Sequence, residues 1–174
     1  MTDQHILNRL AQLEAVNEIR RCLTRYMEIC DGLNANTDLD ELMALFSENA
    51  VWEGIGERYS KAFGRYEGKA KIAAMFESYM RKDAHFMLNA HFLNSENIQV
   101  QGQQAVGKWL MLQTSAFHQG GAHLTSAKLH IDFGLTSDNR WVMTHFRTEN
   151  IFSRTVGHWS DQQDLPVPQQ SAAN

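Results

Sequence analysis

A chain of 174 residues and 19.9 kDa holds one domain with a full hydrophobic core, not two. Its 43% hydrophobic and 21% charged residues exclude wholesale disorder, and a core of this size needs no disulfide or metal to fold. A net charge of −4 without a basic block argues against a grip on nucleic-acid phosphates, whereas eight histidines are many for this length.

The first five residues, Met1 to His5, lack a basic region followed by an apolar core, so they do not read as a secretory signal. No run approaches the roughly 18 apolar residues of a membrane span. A cytoplasmic protein without membrane contact is expected. The two cysteines, Cys22 and Cys30, fit that setting. On one helix their offset separates them by about 12 Å along the axis, too far for a disulfide.

In chain order, the spacing of Ile6, Leu10, Leu13, Val16, Arg20, Leu23 and Met27 predicts a helix over 8–31, stopped by Gly32. Asp38 suits the cap of a second helix carrying Leu39, Leu42, Met43, Leu45 and Phe46. Ala50 to Glu53 reads as a short strand. The glycines 54, 56 and 64 then suggest a loop. A third helix fits Gly68 to Met80, with Ile72, Met75, Phe76 and Tyr79 on one face. From about His91 the pattern changes to some four long strands separated by turns at Gly102-Gln103, Gly120-Gly121 and Asp138-Asn139-Arg140. Helices first and strands afterwards predict an α+β fold with the helices on one face of an antiparallel sheet. Both prolines, Pro166 and Pro168, lie late in the chain. The division expected is a domain over 1–153 and a tail over 154–174.

Three places carry chemistry. Tyr26 and Asp31 close the first helix, about 140° apart on a regular helix, and converge only if Asp31 lies at the turn made by Gly32. An aspartate at a helix C-terminus opposes the dipole, so it is either a solvated loop acid or it has a partner. His91 opens the first long strand. It is either a satisfied surface histidine or, with Asp31, a dyad: a carboxylate on one ring nitrogen leaves the other to take a proton. On the last strand, His145, Arg147 and Glu149 share parity with Trp141 and Met143, which suggests a cavity wall. There Arg147 either holds an oxyanion or pairs with Glu149 at the surface. Trp52, Trp109, Met143 and His145 are expected to line the pocket. No phosphate loop, GxGxxG, GxSxG or HExxH occurs, so no cofactor and no metal are expected.

The order of these pieces resembles the SnoaL-like group of the nuclear transport factor 2-like superfamily, which includes scytalone dehydratase-like enzymes. The residues that carry the resemblance are Arg25-Tyr26-x4-Asp31, Leu42-x2-Leu45-Phe46-x3-Ala50-Val51-Trp52, Gly68-Lys69-x-Lys71-Ile72, the run from His91 through Ile98, Val100, Gly102, Ala105 and Gly107 to Trp109, and Trp141-x-Met143-x3-Arg147. The resemblance implies a cystatin-like cone, a curled antiparallel sheet with three N-terminal helices closing a cavity. It implies catalytic roles for Tyr26, Asp31, His91 and Arg147. The activity implied is a cofactor-independent dehydratase or isomerase acting on a hydrophobic cyclic small molecule such as a polyketide, steroid or aromatic. Its alternative is a non-catalytic ligand-binding or assembly subunit resembling the β subunit of ring-hydroxylating dioxygenases. Either form is expected to be a dimer or trimer.

Overall fold

The structure, a computed structural model, describes residues 3–80 and 84–159. The expected tail lies largely outside these residues. No described helix is long and apolar enough to cross a membrane.

Helix α1 (Asp3–Asp31) has no interior proline or glycine and runs for 29 residues. Its second half buries Ile19, Cys22, Leu23, Tyr26, Met27 and Ile29, while Ile6, Leu7, Leu10 and Leu13 in its first half are exposed. Helix α2 (Leu39–Met43) is capped by Asp38, whose Oδ1 accepts from the backbone N–H of Asp40 at 3.0 Å and Glu41 at 3.2 Å. It is shorter than its apolar pattern suggests. Phe46 leaves the helix and opens strand β1 (Phe46–Ile55) because the next element claims the backbone: Met143 N–H donates to Leu45 O at 2.8 Å.

The stretch read as a loop contains helix α3 (Gly56–Ala62) and strand β2 (Arg65–Glu67). Gly54 permits this. A Cβ there would sit 2.3 Å from the Tyr59 carbonyl oxygen, so only glycine lets α3 fold back onto β1. Helix α4 (Lys69–Glu77) follows, burying Ile72 and Phe76. Four long strands complete the chain: β3 (Phe86–Gln101), β4 (Gln104–Phe117), β5 (Ala122–Leu135) and β6 (Trp141–Val156). His91 therefore lies inside its strand rather than at its start. There are four helices among the described residues, not three.

The fold is α+β, and the sheet order is β2-β1-β6-β5-β4-β3. It departs from the fully antiparallel expectation at one seam. β1 and β6 pair in parallel, since β1 enters before the meander and lies beside its last strand. The sheet is thus mixed, curled and unclosed, with the helices on its inner face. Leu129, Ile131 and Phe133 alternate inward along β5 and are almost wholly buried, each contributing roughly 1.5–3 kcal/mol of burial.

Two irregularities in β6 decide which residues reach the inner face. The pairing with β5 slips between Asp132 and Phe133, and again between Ser126 and Ala127. Each slip inserts one unpaired residue, Thr144 and Ile151, and an extra residue reverses the side-chain parity beyond it.

Candidate active site

Between the inner face and the helices lies a cavity of about 160 Å³. Most of its wall is aromatic or aliphatic: Tyr26, Met27, Trp52, Tyr59, Phe63, Met75, Phe76, Tyr79 and Phe146 among others. Its polar groups are few: Asn89, His91 and Gln113 gather on β3 and β4, and Thr148 lies on β6. No arginine or lysine lines it among the described residues.

Asp31 is the last residue of α1, and its carboxylate is turned to β3. Oδ1 lies 2.6 Å from His91 Nδ1, and Oδ2 accepts the His91 backbone N–H at 3.2 Å. These two donors offset the unfavourable charge at the helix end. A carboxylate can only accept, so Nδ1 carries the proton and Nε2 is left with its lone pair. The His91 side chain is 11% exposed and lines the cavity. The imidazole thus lines an apolar space with its Nδ1 held by the carboxylate.

Tyr26 lines the cavity from α1, the helix that ends in Asp31. Its hydroxyl accepts from Trp52 Nε1 at 3.0 Å and donates its own hydrogen to the Cys30 sulfur. Burial raises its ionisation well above the ordinary range, so it is a neutral donor. Cys30 lies beside it. Burial pushes that thiol up to about 12, with the Tyr26 hydrogen bond opposing the shift. Cys22 is likewise pushed up to about 12, mainly by burial. Neither is bridged, and neither is a nucleophile at neutral pH.

The last strand does not contribute as its parity suggests. Beyond the slip at Thr144, Phe146 and Thr148 face the cavity, while His145 and Arg147 turn to the other face. There His145 Nε2 meets Glu53 Oε1 at 2.7 Å, and Glu53 also pairs with Arg65 at 2.8 Å. Burial works to raise the Glu53 carboxyl, but Arg65 and His145 outweigh it and hold the group below its usual range. Arg147 Nη2 lies 2.5 Å from Asp132 Oδ1, and its Nε donates to His130 O at 3.3 Å. Burial first, then the Arg147 charge, lower the ionisation of His130. Arg147 and His145 therefore stand apart from the His91 cavity.

Of the expected pocket residues, Trp52 lines the cavity. Met143 is fully buried core. Trp109 lies beneath the sheet edge, its ring folded over Gly107 and its indole N–H donating to Glu96 Oε2 at 3.3 Å. Among the described residues no group of three or more His, Cys, Asp or Glu is placed to hold a metal.

Sequence reasoning missed the neutral polar residues of β3 and β4. Gln113 is the cross-strand partner of His91. Its Nε2 donates to Asn89 Oδ1 at 2.8 Å, and Ser115 Oγ donates to the same oxygen at 3.0 Å. Uncharged polar residues on a strand read as a solvated face, but the shared parity of Asn89 with His91, and of Gln113 with Ser115, was a usable signal.

A curled sheet closed by helices around an apolar cavity, with a His–Asp pair in its wall, defines a cystatin-like cone. The chain belongs to the SnoaL-like domain family, whose model matches residues 11–160. Solved structures share the fold at low identity. An NTF2-like protein with a cystatin-like fold from Novosphingobium aromaticivorans is 21% identical, with a TM-score of 0.65 over 86% of this chain and 90% of that one. A type 2 hexachlorocyclohexane dehydrochlorinase, LinA, is 14% identical, with a TM-score of 0.67 over 90% and 97%. ActVI-ORFA from Streptomyces coelicolor is 13% identical, with a TM-score of 0.63 over 79% and 98%. No curated protein matches the chain in sequence.

Proposed function

We propose that the protein is a cofactor-independent lyase that removes water from a small, hydrophobic cyclic molecule, with His91 as base. The observation that carries this reading is the 2.6 Å pair of Asp31 and His91 at the wall of an apolar cavity. His91 Nε2 takes a proton from the carbon next to a ring carbonyl. The electron pair passes through the enolate and forms the C=C bond as the β C–O bond breaks. The imidazolium returns its proton to the departing hydroxide, so a β-hydroxy ketone yields an enone and water. Tyr26, a neutral phenol in the cavity wall, turns its hydrogen from the Cys30 sulfur to donate to the enolate oxygen. A positioned base of this kind contributes about 10²–10⁴-fold, and an oxyanion donor a similar factor. Membership of the SnoaL-like family and the likeness to a hexachlorocyclohexane dehydrochlorinase, an enzyme of elimination, support the same reading.

The test is turnover of 3-hydroxycyclohexanone to cyclohexenone, followed by ultraviolet absorbance. His91→Ala is expected to abolish it, and Asp31→Asn to lower it strongly. Undiminished turnover in His91→Ala would remove His91 as base. Absence of turnover by the wild type would favour the non-catalytic binding subunit.

Self-association belongs to the same proposal. The outer face of the sheet carries exposed Phe92, Leu110 and Phe152, and register aligns Phe92 with Leu112, Ser126 and Phe152 in one row across four strands. A second copy would cover this apolar row. Light scattering is expected to give a multiple of 19.9 kDa, and a monomeric mass would contradict it.

A further inference from the structure

The amide of Gln113 has only one allowed orientation, and the reason lies two residues away. Asn89 Nδ2 donates to the Cys30 carbonyl at 3.4 Å. A carbonyl only accepts, so Asn89 cannot present its oxygen there. Its Oδ1 must face the other way, where Gln113 Nε2 and Ser115 Oγ both donate to it. Gln113 is thereby obliged to turn its NH2 toward Asn89. Its own Oε1 is left as an acceptor with no partner among the described residues. Since Gln113 lines the cavity opposite His91 in register, that acceptor is presented beside the base. Directly opposed side chains stand about 4.5–5.5 Å apart at Cβ, so one small ligand can touch both.

Two further features limit what can use this acceptor. A cavity of about 160 Å³ has room for a single six-membered ring. Its wall offers no arginine or lysine among the described residues, so a carboxylate or phosphate would be desolvated without a counter-charge.

We propose that Gln113 is the specificity residue of the site and that it accepts a hydrogen bond from a hydroxyl group on a neutral, single-ring substrate. This rests on the lyase reading above, and it names the group read beside the base. The leaving hydroxyl keeps that bond as it departs, because water retains a hydrogen for Oε1 to accept. Asn89 and Ser115 are positioning residues. They hold Gln113 so that its oxygen, and not its NH2, meets the ligand.

The experiment compares binding of 3-hydroxycyclohexanone with that of 3-methoxycyclohexanone, which has no hydroxyl hydrogen, by calorimetric titration of the full chain. Wild type is expected to prefer the alcohol by roughly tenfold or more, because the ether leaves Oε1 unpaired. Gln113→Met is expected to abolish that preference while still binding the ether. Gln113→Asn, which withdraws the amide by one methylene, is expected to do the same and serves if the methionine variant fails to fold. His91→Ala is expected to keep the preference while losing turnover. A preference that survives both Gln113 substitutions overturns the proposal, as does wild type that binds the two ligands equally or binds neither. Turnover retained in His91→Ala would instead overturn the lyase reading, so the two failures are distinguishable.

Discussion

The molecule contains two histidine–carboxylate pairs of nearly equal length. On the inner face Asp31 meets His91 at 2.6 Å, and on the outer face Glu53 meets His145 at 2.7 Å. Length does not separate them; wiring does. Asp31 takes Nδ1 and leaves Nε2 toward an apolar cavity. Glu53 takes Nε2 of His145 and is itself shared with Arg65. The inner carboxylate has no cationic side chain paired with it among the described residues, so its effect falls on the imidazole. The outer carboxylate is already satisfied by a guanidinium. In the proposed reaction the inner pair moves a proton, whereas the outer pair ties β1 and β2 to β6.

The strongest way to break this comparison is to delete each imidazole in turn. His91→Ala is expected to lower turnover of 3-hydroxycyclohexanone by about 10²–10⁴-fold. His145→Ala is expected to leave it within about twofold, since the outer pair does not reach the cavity; steady-state rates decide between them. Next comes the cavity wall itself, because α3 supplies Tyr59 and its C-terminal cap supplies Phe63. Gly54→Ala forces a Cβ into backbone and is expected to destabilise the fold by about 3 kcal/mol, read by urea unfolding.

A smaller effect is expected at Arg147. Arg147→Met strands Asp132 and should cost roughly 1–3 kcal/mol of stability with turnover unchanged. A loss of turnover without a loss of stability would return Arg147 to the catalytic group. The smallest effect concerns acid. Glu53 has a folded ionisation below its unfolded one, so its contribution is present above the ordinary glutamate value of about 4.3 and is lost as pH falls through the lower folded value. Glu53→Gln should therefore be less stable at neutral pH and show a shallower stability decline below about pH 4.3 than wild type, measured by thermal unfolding across pH.

Much of this was legible in the sequence, and the rest had physical reasons to hide. Asp31 and His91 could be paired on paper because an aspartate at a helix C-terminus calls for a partner, although His91 lies five residues inside β3 and does not open it. The four-strand meander was readable from its turn residues, Gly102, Gly120-Gly121 and Asn139, all of which adopt positive φ. The β1–β6 parallel seam was not, since strand pairing partners leave no mark in local spacing. Arg147 was misplaced because a bulge at Thr144 breaks the period of two. Its trace was present: Met143 and Phe146 are the inward apolar residues, and three steps between them do not fit a regular strand. Helix α3 was hidden by glycines that mark a close approach rather than a loop. Asn89, Gln113 and Ser115 carry no charge, so their convergence became visible only when β3 and β4 were laid side by side.

The central claim is that His91 Nε2 removes a proton from carbon. Deuterium uptake at C2 of 3-hydroxycyclohexanone in heavy water isolates that step from loss of the hydroxyl. Exchange is expected with the wild type and with His145→Ala, and none above the solvent rate with His91→Ala. Equal exchange by wild type and His91→Ala would contradict it.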